Sequence, residues 1–130
     1  MQKQGSESLV QAKINGHFLY VRDIRKAMNM YSSLFGLSIK EENFLFGHLY
    51  FMDNGVILDS DEMEGRPIPD WLPVSLKLES MDIDKSKAYL EEHGFKISFG
   101  IDRGPNVSWL LFKDPDGNTL MMCQDHKTID

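Results

Sequence analysis

Residues 19–39 and 76–97 carry the same punctuation. Asp23-Ile24 recurs as Asp82-Ile83, 59 residues on, and Gly36-Leu37 recurs as Gly94-Phe95, 58 residues on. A repeat of this size means two similar supersecondary units that share one core, so it has to be read before any single element. Between the landmarks both stretches have helical character. Asp23 and Asp82 are residues of the type that accepts hydrogen bonds from the first free N–H groups of a helix. Gly36 and Gly94 suit the left-handed conformation that ends one. In the first stretch Ile24, Ala27, Met28, Tyr31, Leu34 and Phe35 recur at helical spacing on one face. In the second, Ile83, Ser86, Tyr89 and Leu90 make a thinner stripe.

Strand patterns flank both helices. Residues 14–21 precede the first and 74–80 the second. Residues 38–42, 46–52 and 56–59 follow the first, and 96–100, 107–113 and 119–124 follow the second. Turn residues separate the later strands: Asp53-Asn54-Gly55 in the first half and Asp114-Pro115-Asp116-Gly117-Asn118 in the second. Each half therefore reads strand, helix, three strands, an α+β pattern. The expected organisation is an N-terminal extension at 1–13, a first module at 14–59, a linker at 60–73, a second module at 74–124 and a tail at 125–130. The linker holds three of the five prolines. Residues 100–106 read as a mobile loop.

Two tandem βαβββ units resemble the vicinal oxygen chelate superfamily, which includes glyoxalase I, extradiol dioxygenases, thiol transferases of fosfomycin resistance and bleomycin-resistance proteins. The stretches that carry the resemblance are Val21-Arg22-Asp23-Ile24, the helix end Met30-Tyr31-Ser32-Ser33-Leu34-Phe35-Gly36-Leu37, and Phe112-Lys113-Asp114-Pro115-Asp116-Gly117-Asn118-Thr119-Leu120. The resemblance covers residues 14–124. It implies two βαβββ modules forming a curved, half-open mixed β-sheet barrel with a central cleft. It does not settle function, because such a fold hosts many chemistries.

In metal-using members of that superfamily a typical ligand set is His on the first strand, His on the fifth and Glu on the eighth. Carried over from the landmarks, these positions fall on Gly16, Ser75 and Met121. None is a competent ligand for a divalent cation, so no metal and no cofactor is expected. His17 lies one residue from the first position, which turns it to the opposite strand face, toward the helix. Asp59 stands near the last-strand position of the first module, His48 is open to either face, and His93 sits in the last turn of the second helix, where a cation favours the dipole.

The same alternation points Gly16, Phe18 and Tyr20 into the cleft, with Ser75, Lys77 and Glu79 from the fifth strand. Trp109, Leu111, Thr119, Met121 and Cys123 follow from the later ones. The candidate ligand-binding residues are Phe18, Tyr20, Ser75, Lys77, Glu79, Trp109, Leu111 and Met121. Aromatic rings stack on a planar ligand or hold a cation over a face. The alternative is that the rings only fill a small barrel. Lys77 and Glu79 on an inward face need solvent, a partner or a ligand. No histidine is placed to lower the pKa of Cys123, which reads as a small apolar filler.

The chain has 130 residues, 20 acids and 14 bases, for a net charge of −6. Without a basic run it is a poor nucleic-acid binder. No apolar run reaches membrane-span length. The polar start and single cysteine make a cytoplasmic protein the expectation. Residues 53–70 hold six acids and one base, Arg66, so the linker region carries −5 of the −6. The expected function is metal-free binding or sequestration of a small aromatic or cationic compound, as the bleomycin-resistance branch of the resemblance implies. The competing reading is a metal-dependent lyase or isomerase, thiol transferase or dioxygenase with unorthodox ligands among His17, His48, Asp59 and Glu79. A homodimer is expected, because an isologous pair covers open sheet edges.

Overall fold

The computed structural model of the chain describes residues 8–126. In chain order it runs β1 (His17–Tyr20), α1 (Ile24–Phe35), a 3-10 turn (Glu41–Asn43), β2 (Phe44–Leu45), β3 (Leu49–Phe51), β4 (Val56–Asp59), β5 (Val74–Glu79), α2 (Ile83–Glu92), β6 (Lys96–Arg103), β7 (Val107–Lys113) and β8 (Thr119–Asp125). The strands make two four-stranded mixed sheets, ordered β1-β4-β3-β2 and β5-β8-β7-β6. In each, the first pair is parallel and the others antiparallel. The two sheets have the same topology and do not close into a barrel.

The helix ends follow from the residues at them. The Asp23 carboxylate accepts the Lys26 N–H, and the Asp82 carboxylate accepts the Lys85 N–H. Each answers one of the donors a helix start leaves free. Gly36, at φ 68°, ends α1 in the left-handed region, and its N–H returns to the last turn. Behind the sheets, α1 buries Ala27, Met28 and Tyr31, while α2 buries Ile83 and Leu90. The core runs through both modules. Phe95 meets Tyr31 edge-on at 5.8 Å and Phe112 edge-on at 5.5 Å. The Ser33 and Tyr89 hydroxyls join α1 to α2 at 2.7 Å.

Three local expectations are corrected. Residues 38–42 form no strand: the Lys40 N–H is taken by the Tyr50 hydroxyl, and Glu41, Glu42 and Asn43 wind into a 3-10 turn. The strand read at 46–52 shrinks to Leu49–Phe51, because Phe46 and Gly47 turn at positive φ. The mobile loop at 100–106 is mostly strand: β6 bulges between Phe99 and Asp102, then pairs on, Asp102 with Trp109 and Arg103 with Ser108. The bulge places Gly100, at φ 99°, against the Trp109 carbonyl, where a Cβ would lie 2.9 Å away.

Candidate functional site

Side-chain alternation divides β1 sharply. Leu19 and Val21 are fully buried beneath α1, whereas Phe18 and Tyr20 are 47% and 49% exposed on the opposite, concave face. Their rings stack at 6.0 Å. The parallel register sets Phe18 beside Ile57 and Tyr20 beside Asp59. Asp59 is itself held. Its Oδ1 lies 3.0 Å from Nδ1 of His48 and accepts the Asp61 N–H at 2.9 Å. His48 is thus a ring oriented by a carboxylate at the rim of this face, the arrangement that leaves the other ring nitrogen for chemistry. His17 is half-buried and borders a small cavity of about 170 Å³ together with Gly16, Asn54 and Leu76.

The linker returns over this face. Met63, Pro69 and Leu72 roof a cavity of about 430 Å³ whose floor and wall are Tyr20, Arg22, Asp116 and Asn118. Arg22 is the fastener. Its guanidinium donates to the carbonyls of Arg66 at 2.8 Å and Pro67 at 2.6 Å, and pairs with Asp116 at 3.0 Å. Asp116 also accepts the Arg22 backbone N–H, and the Asn118 amide donates to the Tyr20 carbonyl. The Lys113 ammonium pins the Asp70 carbonyl at 3.0 Å. The Arg22 guanidinium and the Asp116 carboxylate are therefore engaged by the protein, and Met63, Pro69, Leu72 and the Tyr20 ring leave a largely apolar lining, as in sites that take drug-sized ligands.

The other six predicted residues lie on the second sheet. Lys77 and Glu79 of β5 stand beside Met121 and Cys123 of β8, which in turn stand beside Leu111 and Trp109 of β7. Ser75 sits in a β5 bulge between Val74 and Leu76, where strict alternation lapses, and its hydroxyl donates to the Thr119 carbonyl at 3.1 Å. Thr119 is buried, and its own hydroxyl has no partner among the described residues. Lys77 and Glu79 are exposed and form no ion pair with each other among the described residues. Glu79 accepts the Asp125 N–H instead. Burial raises the Cys123 thiol; the nearby Lys77 opposes this, while Glu79 and Asp125 add to it. Of the eight residues, Tyr20 and Glu79 border cavities, and separate ones.

Two cavities repeat as the sequence does. One of about 210 Å³ is lined by Arg22, Asp23, Lys26, Ala27 and Met30, and another of about 340 Å³ by Met81, Asp82, Lys85, Ser86 and Tyr89, each pair 59 residues apart. The first also borders Tyr31 and Asp114. There the Tyr31 hydroxyl donates to Asp114 at 2.6 Å, and Asn118 donates to the same carboxylate. Burial pushes the Asp114 carboxyl above its ordinary range, against those two donors. Tyr31 is pushed well up by its own burial and by the adjacent Asp114.

The positions that the resemblance assigns to metal do not supply a donor set. At Gly16 a Cβ would lie 2.8 Å from Cδ1 of Ile57, so Ile57 occupies the room a ligand side chain would take. Ser75 has spent its hydroxyl on a carbonyl, and Met121 offers a thioether. Among the described residues no three His, Cys, Asp or Glu side chains gather into a group able to hold a metal ion. Two features escaped the sequence reading: Met63, Pro69 and Leu72 as a cavity roof, and Asp102 as part of the second face. The apolar residues spaced through an acidic linker were the available signal for the first.

Paired βαβββ modules with an open aromatic concave surface define a glyoxalase-type protein. The family model described as the Glyoxalase/Bleomycin resistance protein/Dioxygenase superfamily matches residues 13–122, and the chain belongs to that superfamily. A superfamily member from Sphaerobacter thermophilus is 23% identical with a TM-score of 0.65, covering 88% of this chain and 98% of that one. A lactoylglutathione lyase from Agrobacterium tumefaciens is 21% identical with a TM-score of 0.60, covering 88% and 94%. These likenesses show the fold. A plipastatin synthase polypeptide of Bacillus subtilis is 29% identical over 84 residues, which are 65% of this chain but 3% of that protein. No helix among the described residues is long and apolar enough to cross a membrane.

Proposed function

We propose that the chain binds a small aromatic or cationic compound in its cleft without a metal, in the manner of the bleomycin-resistance branch, and works as a cytoplasmic homodimer. The observation that carries this reading is the cavity of about 430 Å³ between Tyr20 and the linker. Its volume suits a drug-sized ligand, its lining is largely apolar, and the half-exposed Phe18–Tyr20 stack continues it outward. Met63, Pro69 and Leu72 belong to the acidic linker, whose net negative charge would raise the local concentration of a cation, while none of the acids of residues 53–70 lines the cavity itself. The free, buried Cys123 agrees with a reducing compartment.

The test is a titration with ethidium, a planar aromatic cation. Saturation at 100 times Kd stabilises the fold by about 2.7 kcal/mol, and Tyr20→Ala lowers the affinity at least tenfold. Absence of any melting response across a panel of planar cations overturns the reading. Sedimentation of a monomer at micromolar concentration overturns the homodimer.

A second reading, an enzyme of the same superfamily, rests on the His48–Asp59 pair. Stoichiometric zinc, nickel, manganese or iron after chelator-free purification, lost in both His48→Ala and Asp59→Asn, would establish it and remove the metal-free proposal.

A further inference from the structure

The second sheet brings four side chains from four strands into one row. Asp102 of β6 is opposite Trp109 of β7, Trp109 is opposite Cys123 of β8, and Cys123 is beside Glu79 of β5. Neighbouring strands lie about 4.8 Å apart, so the Trp109 and Glu79 backbones, two strands apart, are separated by about 10 Å. Between them stands only Cys123, a short side chain that its neighbours cover. The β6 bulge decides what borders the row. Phe99 pairs with Leu111, and after the extra residue Asp102 pairs with Trp109. Ile101 packs into the core, so Asp102 is turned to the concave side. The Phe99 and Trp109 rings stack at 5.1 Å and 27°, making one aromatic platform.

The carboxylates of this row are, among the described residues, free of basic partners and lie beside aromatic rings. Glu41, Asp53, Glu62, Asp84 and Asp116 each have an Arg or Lys within ion-pair distance. Among the described residues Asp102 and Glu79 have none, although both flank an aromatic platform. Lys77 lies two residues from Glu79 and shares its face, next to Met121, so its charge opposes that of an ammonium at the Glu79 end of the row.

We propose that this row binds a small arylalkylammonium ion, its ring against Trp109 and Phe99 and its ammonium reaching past Cys123 to the Glu79 carboxylate, with Asp102 adding negative potential beside the ring. Rings attract cations over their faces, and a carboxylate without a basic partner supplies the directed contact. The two-strand gap favours a short tether between ring and ammonium. This deepens the small-molecule reading by naming a ligand class and a second location, away from the linker cavity.

The probe is phenethylammonium, compared with 2-phenylethanol and 3-phenylpropionate, which keep the ring and change the charge. Trp71→Phe leaves Trp109 as the only tryptophan, so its emission reports this face. The ammonium should shift Trp109 emission saturably, with the alcohol at least tenfold weaker and the carboxylate weaker still. Glu79→Gln should weaken the ammonium about tenfold and Asp102→Asn about threefold, leaving the alcohol unchanged. Because the alcohol reads the ring platform alone, its retained binding shows that the variants are folded. Raising salt should weaken only the ammonium. Equal binding of ammonium and alcohol, or an unchanged ammonium affinity in Glu79→Gln, overturns the proposal. If ethidium still binds at Tyr20 while phenethylammonium does not act at Trp109, this site is refuted and the proposed function stands. If ethidium fails while phenethylammonium behaves as described, the linker-cavity reading falls and this row remains.

Discussion

Tyr31→Phe removes one oxygen from the contact that joins α1 to the β7–β8 turn. The Tyr31 hydroxyl is buried and donates to Oδ2 of Asp114 at 2.6 Å; Asp114 is only 5% exposed. The remaining donors to that carboxylate, the Asn118 side-chain amide and the Asp116 and Asn118 backbone N–H groups, stay in place. A hydrogen bond to a charged group is worth about 1.5–3 kcal/mol and one to a neutral group about 0.5–1.5 kcal/mol. The cost of the substitution therefore depends on the state of Asp114. Burial raises the Asp114 carboxyl above its unfolded value. The stability linked to a raised carboxyl is fully present below the unfolded pKa and is lost as pH rises through the folded one. Tyr31 holds that folded value down, so without its hydroxyl the value climbs further and the loss at neutral pH deepens. The expected penalty is about 2 kcal/mol at pH 7 and about 1 kcal/mol at pH 3.5. With a urea slope near 1.5 kcal/mol per molar, the midpoint drops by roughly 1.3 M at pH 7 and about half that at pH 3.5. Paired urea melts of both proteins at the two pH values measure this directly. A gap that is constant, or larger in acid, would show that the Asp114 carboxylate is not what the hydroxyl stabilises.

Three further outcomes follow from the packing. Arg22→Met leaves Asp116 without its cation and frees the linker carbonyls; it should cost about 3 kcal/mol and speed tryptic cleavage after Arg66, followed by mass spectrometry. Asp23→Ala and Asp82→Ala each remove a helix cap and should cost about 1 kcal/mol, adding nearly independently in a urea melt of the double variant. Leu120→Ala, at a fully buried β8 position, should cost about 2–5 kcal/mol, and a thermal melt within one degree of the parent would contradict a core centred on that strand.

The repeat carried most of the architecture because its landmarks are local. A capping Asp and a left-handed Gly act within one helical turn, so Asp23, Gly36 and Asp82 could be read where they stand. Strand faces were equally readable where alternation is unbroken: Leu19 and Val21 are buried, and Phe18 and Tyr20 are not. Reading lapsed where the backbone inserts a residue. The bulges at Ser75 and after Phe99 change a side chain's face without altering composition, so from sequence alone Asp102 reads as part of a loop. The linker's role was hidden for another reason. Its position depends on Arg22 and Lys113 reaching backbone carbonyls, which every residue possesses, so no side-chain pattern in the linker announces the partner.

Arg22 has a consequence for how two copies of this chain could trade parts. A tether of 14 residues between Asp59 and Val74 would let one module wander far from the other. Fastened at Arg66 and Pro67, it is divided into two arms of six residues, 60–65 and 68–73, each reaching about 20 Å when fully extended. The second arm is shortened again where Lys113 holds Asp70. Exchange of modules between neighbours therefore has to begin by unfastening Arg22 from both the linker and Asp116. In a homodimer of the kind proposed above, Arg22 would add to the contacts between the modules, among them Ser33–Tyr89 and Tyr31–Asp114, that have to open before copies mixed after folding can trade modules.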